Sequence, residues 1–362
     1  MIIFVYGTTA EAIKLAPVIR RLRARGVPFE QWLTYQHTQS LDETMHSLEL
    51  GAPDVVIVRG RRGAPLKRPV DMVLWLFSIA GWTVRNRRRQ RRRLMRSRDL
   101  LIVHGDTMTS VVGALLARVL GVRSAHVEAG LRSGDWRHPF PEELDRRIVA
   151  RLAHVHYAPS KEAVANLRAR MNIVFTSGNT VVDAALDGQT SELDVDEEYG
   201  IVLLHRFEFI SDPDRVAETM RLLAENSDVP MRVLVDAYAR DALTSAIDRS
   251  GRAQNLHLEG KLAHADFVRL LRGARFIVTD SGGIQEEAAL YGVPTLVHRM
   301  ATERSEGIGS NAVLSRWDTG VVVDFLKDYE RFRIAVATPE ISPSDVIVDD
   351  LLARGYGGPE VG

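Results

Sequence analysis

Residues 276–287 read Phe276-Ile277-Val278-Thr279-Asp280-Ser281-Gly282-Gly283-Ile284-Gln285-Glu286-Glu287, and this stretch decides the fold. Its β-branched and aromatic start predicts a strand that ends at Asp280, followed by a turn of small residues and a helix from about Ile284. The first N–H groups of such a helix have no partner within it, and the helix dipole adds partial positive charge. Because Gly282 and Gly283 carry no side chain, a phosphate could approach this turn closely. A tight strand–helix turn that binds nothing explains the same residues equally well.

The same alternation of strands and helices runs through most of the chain, which is typical of parallel sheets wound with helices. In the first series the predicted strands are Ile2–Tyr6, Trp32–Thr34, Val55–Val58, Leu100–His104, Arg123–Val127, Val155–Ala158 and Ile173–Thr176. In the second series they are Ile201–Leu204, Arg232–Val235, Leu256–Leu258, Phe276–Thr279, Thr295–Val297 and Val321–Val323.

A polar, acidic stretch at Gln189–Tyr199 separates the two series. We therefore predict an α/β protein with two Rossmann-like, doubly wound parallel-sheet domains, at residues 1–188 and 198–338. One more helix, about Pro343–Leu352, lies in a C-terminal segment, residues 340–362, that is expected to join the first domain. Two such domains are expected to face each other with the ligand in the cleft between them.

The composition is that of a globular protein with balanced charge. Lys+Arg and Asp+Glu number 47 each among 362 residues, which argues against a dedicated nucleic-acid binder. The chain has no cysteine, so disulfides, thiolate zinc sites and cysteine nucleophiles are excluded. The longest apolar run, Met72–Trp82, is far shorter than the roughly 20 residues that span a bilayer, and Met1–Val5 lacks the basic leader of a secretory signal. We expect a soluble, cytoplasmic protein without a transmembrane segment.

Carboxylates follow two predicted strands of the first domain at the edge where open parallel sheets bind ligands. Asp106 follows the strand Leu100–His104, Glu128 follows the next strand, and Glu142 opens a helix shortly afterwards. Converging carboxylates are costly to keep ionised together, so one pKa should rise, as a proton-transfer site requires. Each could instead be an ordinary helix cap or first-turn acid. Lys14, in the first helix, is equally consistent with a solvent-facing lysine and with one that reaches the ligand.

Two further features stand apart from these carboxylates. His205 follows the first strand of the second domain, where it could face the same cleft or be an ordinary surface histidine. Nine arginines lie within Arg85–Arg98. They could form the exposed basic end of a buried helix, or they could contact an anionic membrane surface or an acidic partner.

Nine motifs in order along the chain resemble those of the non-hydrolysing UDP-N-acetylglucosamine 2-epimerases, which have a two-domain glycosyltransferase-B fold. In the first domain they are Gly7-Thr8-x-x-Glu11-Ala12-Ile13-Lys14, Gln36-His37, His104-Gly105-Asp106-Thr107, His126-Val127-Glu128-Ala129-Gly130-Leu131-Arg132, Pro141-Glu142-Glu143 and Gly178-Asn179-Thr180. In the second they are His205-Arg206-x-Glu208, Asp280-Ser281-Gly282-Gly283-x-Gln285-Glu286-Glu287 and Thr302-Glu303-Arg304-x-Glu306.

The resemblance implies epimerisation at carbon 2 of UDP-N-acetylglucosamine, through elimination and re-addition of UDP, with neither a cofactor nor a metal. It implies proton-transfer roles for Asp106, Glu128 and Glu142, and a place for His205 beside the leaving diphosphate. The UDP-binding residues that it implies are Lys14, Phe267, Ser281, Gly282, Gly283, Glu287 and Arg304. Phe267 would lie near uracil and Glu287 on the ribose hydroxyls. We also expect a homodimer.

The sequence departs from the family pattern at several cationic positions. Thr9 and Phe207 stand where the family has arginines, and Asp236 stands where it has a histidine. Losing two cations near a diphosphate would weaken binding by a few kcal/mol, at about 1.5–3 kcal/mol for each charge-assisted hydrogen bond. Either the substrate differs or other arginines compensate. The candidates for compensation are Arg206, Arg299 and Arg304.

Three alternative functions stay open at this point. A hydrolysing relative would release N-acetylmannosamine and UDP, although the motifs around Glu128 and Glu142 favour the isomerase. A glycosyltransferase of the same fold would need an acceptor site, which the sequence does not identify. A binding protein that has lost its chemistry is consistent with Thr9 and Phe207, but the intact carboxylates argue against it.

Overall fold

The structure, a computed structural model, describes residues 1–36, 39–60, 69–94, 99–134, 141–187, 198–236, 239–250, 253–337 and 339–358. The chain divides into two compact units. The first comprises Met1–Ala184 and Glu340–Gly362, and the second comprises Ala185–Pro339. Parts of four predicted features lie outside the described residues: His37, Arg96 and Arg98, most of the linker that begins at Gln189, and residues 359–362 of the C-terminal segment.

The first unit is built on a seven-stranded parallel sheet with the order β3-β2-β1-β4-β5-β6-β7. Its strands are β1 Ile2–Tyr6, β2 Phe29–Leu33, β3 Val55–Val56, β4 Leu100–His104, β5 Arg123–Val127, β6 Val155–Ala158 and β7 Ile173–Phe175. Its helices are α1 Thr9–Ala24, α2 Gln39–Ser47, α3 Pro69–Leu94, α4 Met108–Leu120, α5 Glu142–Leu152, α6 Lys161–Asn166, α7 Thr180–Asp187, which the unit boundary crosses, and the C-terminal α14 Pro343–Ala353.

Helices cover both faces of this sheet, and this explains why its central strands are continuous apolar runs rather than alternating ones. All five residues of β1 and of β4 are buried. The side chains of β1 point alternately into two cores, with Phe4 in one and Val5 in the other. The C-terminal helix α14 packs on α1 and buries Ile347 and Leu351 in the same core as Phe4. The order in which strands are added to the sheet reverses at β1: β2 and β3 lie on one side of β1, and β4 to β7 lie on the other. The loops that follow the neighbouring parallel strands β1 and β4 therefore diverge at the carboxyl edge of the sheet, where open α/β sheets bind ligands.

The helix that contains the arginine run, α3, has one buried and one exposed face. Trp75 is buried, and its indole N–H donates to the carbonyl of Thr34 at 2.7 Å. Phe77 is 70% exposed and Val84 is 80% exposed. The described arginines from Arg85 to Arg93 are exposed too, as expected for a basic helix end. Among the described helices, none combines the length and the apolar character that crossing a membrane requires.

The second unit contains a six-stranded parallel sheet with the order β10-β9-β8-β11-β12-β13. Its strands are β8 Gly200–Leu203, β9 Met231–Val235, β10 Leu256–Gly260, β11 Phe276–Thr279, β12 Thr295–Val297 and β13 Ala312–Leu314. Its helices are α8 Phe207–Ile210, α9 Pro213–Asn226, α10 Arg240–Ser250, α11 His264–Gly273, α12 Gly282–Leu290 and α13 Thr319–Lys327, with two short 3-10 turns at Ala253–Asn255 and Tyr329–Phe332. The predicted fold class, two α/β units with parallel sheets, is confirmed.

One predicted strand is wrong. Val321–Val323 lies in the helix α13, whose N-cap Asp318 accepts hydrogen bonds from the N–H groups of Gly320 and Val321 at 2.8 and 3.3 Å. The sixth strand is instead Ala312–Leu314, which pairs with Thr295–Val297. A run of three valines fits a strand and a buried helical turn equally well, so the Asp318 cap was the better signal. The helix α12 also begins at Gly282 rather than near Ile284.

Candidate active site

Glu128 is the centre of the first polar cluster. It follows β5 directly and is buried. Lys14 Nζ lies 2.5 Å from its Oε2, and Asn179 Nδ2 donates a hydrogen bond to the same oxygen. His104 Nε2 lies 3.8 Å from this oxygen. The structure therefore brings Lys14 and Glu128, which the sequence analysis had selected separately, together as a buried ion pair. It adds Asn179, to which the sequence had assigned no role.

The backbone of Glu128 is in the left-handed region, with φ +66°. This conformation is unfavourable for a residue with a side chain, at a cost on the order of 1–3 kcal/mol. The neighbouring backbone holds it in place, because Gly105 N donates to Val127 O at 2.9 Å and Ala129 N donates to Tyr157 O at 2.8 Å. Strain of this kind, supported on both sides, is characteristic of functional sites.

Asp106 follows the neighbouring strand β4 and is partly exposed. Its Oδ2 accepts a hydrogen bond from Arg146, a fully buried arginine of α5. Glu142, the first residue of α5, and Asp145 belong to the same first turn. Burial, followed by the charges of Asp106 and Glu142, raises the pKa of Asp145 to about 7. Asp106 and Glu142 thus both raise the pKa of Asp145, a residue that the sequence analysis had not singled out.

Glu11 ties the loop after β1 to the loop after β4. Its Oε2 accepts from the backbone N–H groups of Gly7 and Thr8, each at 2.9 Å, and its Oε1 accepts from Thr107 Oγ1 at 2.6 Å. Burial raises the pKa of Glu11 to about 6 despite these donors. Thr8 and Glu11 form a capping box at the start of α1. The spacing Thr8-x-x-Glu11 in the sequence predicts such a box. Glu11 therefore fixes the loop that begins next to Asp106.

In the second unit, Asp280 positions His205. Asp280 follows β11 and is fully buried. Its Oδ2 accepts from the backbone N–H groups of His205 and Arg206 at 2.9 and 2.8 Å, and His205 Nδ1 lies 3.4 Å from Oδ1. The carboxylate therefore orients the turn that carries His205, whose side chain stays partly exposed. Sequence reasoning used Asp280 only as a strand end.

The start of α12 is packed against the loop 302–306. Ser281 is its N-cap but makes no side-chain capping hydrogen bond. A Cβ atom on Gly282 would lie 3.0 Å from Arg304 Nε, so at this position the glycine allows the loop to approach. Gly283, the next residue, is partly exposed. Gln285 fastens the loop by donating to the carbonyls of Arg304 and Glu306 at 3.3 and 2.7 Å.

Arg304 and Arg299 are both buried and paired with carboxylates. Arg304 Nη1 donates to Glu286 Oε1 at 3.0 Å, and Arg299 Nη1 donates to Glu303 Oε2 at 3.2 Å. Burial lowers the pKa of Arg299, and the neighbouring carboxylates offset part of this decrease. Both arginines thus neutralise acids of their own unit, and a direct role of Arg304 toward a ligand stays a prediction.

Glu287 is joined to a histidine that the sequence analysis did not select. His264 Nε2 lies 2.6 Å from Glu287 Oε1, and both side chains are buried. His264 begins α11, and Phe267 lies one turn later on the same helix, also buried. The structure therefore brings together Glu287 and the helix that carries Phe267. No local pattern predicts this pair, because the partners come from different helices.

Comparison with known proteins identifies the family. Residues 93–329 match the family model described as UDP-N-acetylglucosamine 2-epimerase. The Bacillus subtilis UDP-N-acetylglucosamine 2-epimerase is 32% identical over 318 residues, covering 84% of this chain and 80% of the relative. The Campylobacter jejuni enzyme of the same name is 30% identical over 340 residues, covering 86% of this chain and 84% of its own.

Solved structures of this family also superpose on the chain. The Neisseria meningitidis UDP-GlcNAc 2-epimerase bound to UDP-GlcNAc has a TM-score of 0.82 at 25% identity, covering 97% of this chain and 99% of that one. The Methanocaldococcus jannaschii enzyme in complex with UDP-GlcNAc and UDP has a TM-score of 0.80 at 25% identity, covering 98% and 99%. The two parallel-sheet units, the polar clusters at their strand ends and these similarities lead to one conclusion: the chain belongs to the UDP-N-acetylglucosamine 2-epimerase family.

Proposed function

We propose that this protein converts UDP-N-acetylglucosamine to UDP-N-acetylmannosamine by eliminating and re-adding UDP, without net hydrolysis. The observation that carries the proposal is the pairing of carboxylates with cations after the adjacent strands β4 and β5. Asp106 is held by Arg146 and Glu128 by Lys14. Relatives solved with UDP-GlcNAc support this sugar nucleotide as the substrate.

The reaction has to remove a proton that is not acidic, because no carbonyl adjoins carbon 2. In the elimination, a base takes this proton while the bond from carbon 1 to the diphosphate oxygen breaks and UDP leaves with the electron pair. The product of this step is a glycal. In the re-addition, an acid delivers a proton to the other face of carbon 2, and the diphosphate oxygen bonds carbon 1 again. A base and an acid on opposite faces are therefore required.

We assign these proton transfers to Asp106, Glu128 and Glu142. An ion-paired carboxylate is available as a base, and Glu128 Oε2 is already engaged by Lys14 and Asn179. The other oxygen, Oε1, lies close to the backbone of Gly105, since a Cβ atom built on Gly105 would be 3.4 Å from it. The contacts with Lys14 and Asn179 orient the Glu128 carboxylate, and we propose that this carboxylate exchanges the proton with the sugar.

We assign binding of the departing UDP to the second unit. The exposed part of the His205 side chain and the start of α12 at Ser281–Gly283 would stabilise the diphosphate, since helix N-termini favour anions. Glu287 would accept hydrogen bonds from the ribose hydroxyls, and Phe267 would contact uracil. The buried ion pair of Arg304 with Glu286 supports a role in shaping the start of α12.

Proton NMR of UDP-N-acetylglucosamine incubated with the enzyme in deuterated water tests the proposal. We expect UDP-N-acetylmannosamine that carries deuterium at carbon 2, in the presence of a chelator and without added NAD. Free N-acetylmannosamine with an equal amount of UDP would identify a hydrolase instead. UDP release only after addition of an acceptor would identify a glycosyltransferase, and bound but unchanged substrate would identify a binding protein.

The partners predicted from the sequence require separate measurements. A homodimer should sediment at twice the 40.4 kDa mass of the chain. Contact of Arg85–Arg98 with membranes should appear as salt-sensitive binding to vesicles that contain anionic lipids, and not to neutral vesicles. Monomeric sedimentation or absence of vesicle binding would remove the corresponding prediction.

A further inference from the structure

His126 is a buried histidine that the proposed mechanism does not yet use. It lies in β5, two residues before Glu128, and none of its surface is exposed to solvent. Its Nε2 lies 2.7 Å from the carbonyl oxygen of Gly105, the residue that precedes Asp106. Among the residues that the structure describes, none forms a hydrogen bond with its Nδ1. A buried polar ring that bonds through one nitrogen only calls for an explanation of that bond.

The contact with Gly105 fixes which nitrogen of His126 carries the hydrogen. A carbonyl oxygen only accepts hydrogen bonds, so Nε2 is the nitrogen that carries a hydrogen and donates it. Burial lowers the pKa of His126 to about 3, so the ring is neutral near pH 7 and Nδ1 has no hydrogen. His126 is therefore a neutral donor whose one N–H group is directed at the carbonyl of Gly105.

This carbonyl belongs to the peptide bond that leads into Asp106. Gly105 has φ +68°, in the left-handed region that glycine adopts readily. Because glycine adopts many other conformations as well, its own preference does not fix the plane of the peptide bond. Two hydrogen bonds with β5 hold the residue on both sides: Gly105 N donates to Val127 O at 2.9 Å, and His126 donates to Gly105 O. The bond from His126 is the one that acts on the peptide plane next to Asp106.

The strand β5 also leads to the second proposed proton-transfer residue of this edge. Glu128 follows it directly, and a Cβ atom on Gly105 would lie 3.4 Å from Glu128 Oε1. One strand thus places Glu128 through its own backbone and Asp106 through the side chain of His126. Both carboxylates need a defined position at the sugar, since a misplacement of about 1 Å can cost about 100-fold in rate.

We propose that His126 is a positioning residue, which orients Asp106 by donating its Nε2 hydrogen to the carbonyl of Gly105. This inference rests on the proposed function, because it gives His126 an effect on turnover through Asp106. Since none of its surface is exposed, His126 acts on the substrate only through other residues. Its removal should therefore slow the chemical step and leave substrate binding almost unchanged.

The first test does not depend on turnover. Nitrogen-15 NMR distinguishes a protonated ring nitrogen from an unprotonated one, and at pH 7 we expect His126 to be protonated at Nε2 only. A ring protonated at Nδ1, alone or together with Nε2, would overturn the proposal. This measurement uses the wild type and so does not require that any variant folds.

The amide signal of Asp106 reports on the same peptide bond. It should shift in His126→Phe, which has no donor, and return toward the wild-type position in His126→Gln, whose side chain again supplies an N–H group. An Asp106 amide that is unchanged in His126→Phe would overturn the proposal.

The second test compares kcat and KM for epimerisation. His126→Phe should lower kcat by about tenfold or more with KM nearly unchanged, and His126→Gln should recover most of kcat. His156→Phe is the matched control, since His156 is also buried and is the partner of His126 on the neighbouring strand β6. It should keep the wild-type kcat. An equal loss of kcat in His156→Phe, or a His126→Gln as slow as His126→Phe, would indicate a packing defect and overturn the proposal.

A double-mutant cycle separates positioning of Asp106 from a general structural role. If His126 acts through Asp106, adding His126→Phe to Asp106→Asn should change the rate by less than about twofold, whereas additive effects would overturn the proposal. If the protein does not epimerise UDP-N-acetylglucosamine at all, the proposed function fails. The protonated ring nitrogen and the Asp106 amide signal then still decide whether His126 holds this peptide bond.

Discussion

Lys14 and Glu128 are 114 residues apart in sequence, yet Lys14 Nζ lies 2.5 Å from Glu128 Oε2. The strand order explains the contact, because α1 follows β1 and Glu128 follows β5, separated in the sheet only by β4. Both side chains are nearly inaccessible to solvent. The pair thus links the first helix of the chain to a proposed catalytic carboxylate.

Removing the lysine should therefore cost stability as well as activity. Lys14→Met removes the ammonium group that is paired with the buried Glu128, and breaking a buried ion pair from one side typically costs about 3–5 kcal/mol of unfolding free energy. Denaturant unfolding measures this loss. The double variant Lys14→Met/Glu128→Gln should recover part of it, because the unpaired charge is gone. Equal stability of the single and double variants would contradict the ion pair.

The three proposed proton-transfer residues should each be needed for turnover. Asp106→Asn, Glu128→Gln and Glu142→Gln remove the charge with little change in shape, and each should slow epimerisation by about 100-fold or more. Deuterium incorporation at carbon 2 should fall in parallel. Asp349→Asn serves as the control, because Asp349 is an exposed aspartate that is paired with Arg25. A variant that turns over at nearly the wild-type rate would exclude its residue from proton transfer.

His264 should matter for UDP through Glu287. The 2.6 Å contact fixes one oxygen of the Glu287 carboxylate, which leaves the other for the proposed ribose contact. His264→Leu should weaken binding of UDP in calorimetry, by roughly the 0.5–1.5 kcal/mol of one hydrogen bond. It should have little effect on 2′-deoxyuridine diphosphate, which lacks one of the hydroxyls. Equal weakening for both nucleotides would argue against a ribose contact.

The start of α12 provides a separate test of nucleotide binding. Ser281→Ala should weaken UDP binding by about 0.5–1.5 kcal/mol, whereas Gly283→Val should abolish it by blocking the phosphate. Thr9→Arg should tighten UDP binding if the substrate is a uridine diphosphate sugar. Another nucleoside diphosphate serves as the control in the same calorimeter. Preference for that nucleotide over UDP would mean that the family substrate has been replaced.

Glu11 should give the protein a pH-dependent stability of defined sign. Burial raises its pKa in the folded protein from 4.5 to about 6, so between these values the folded state binds more protons than the unfolded state. The free energy of unfolding should therefore fall as pH rises from about 4.5 to about 6. Glu11→Gln should lack this component, measured as the difference between the two unfolding curves across that range. A wild type that gains stability relative to Glu11→Gln there would contradict the prediction.

The sequence by itself determined the two-unit α/β fold and most strands, because strand and helix periodicity is set by neighbouring residues. It also placed Asp106, Glu128, His205 and the Ser281–Gly283 turn at strand ends, where a parallel sheet exposes its ligand-binding edge. It failed at Val321–Val323, where three valines suit either element and the Asp318 cap decided for a helix.

Only the tertiary structure decided which charges meet. Lys14 with Glu128, Arg146 with Asp106, Asp280 with the turn at His205, and His264 with Glu287 all join residues from different elements. Each pairing depends on the order of strands in the sheet and on the packing of helices against it, and neither is encoded in the spacing of nearby residues. The raised pKa of Asp145 belongs here too, because the burial and the neighbouring charges that raise it exist only in the folded chain.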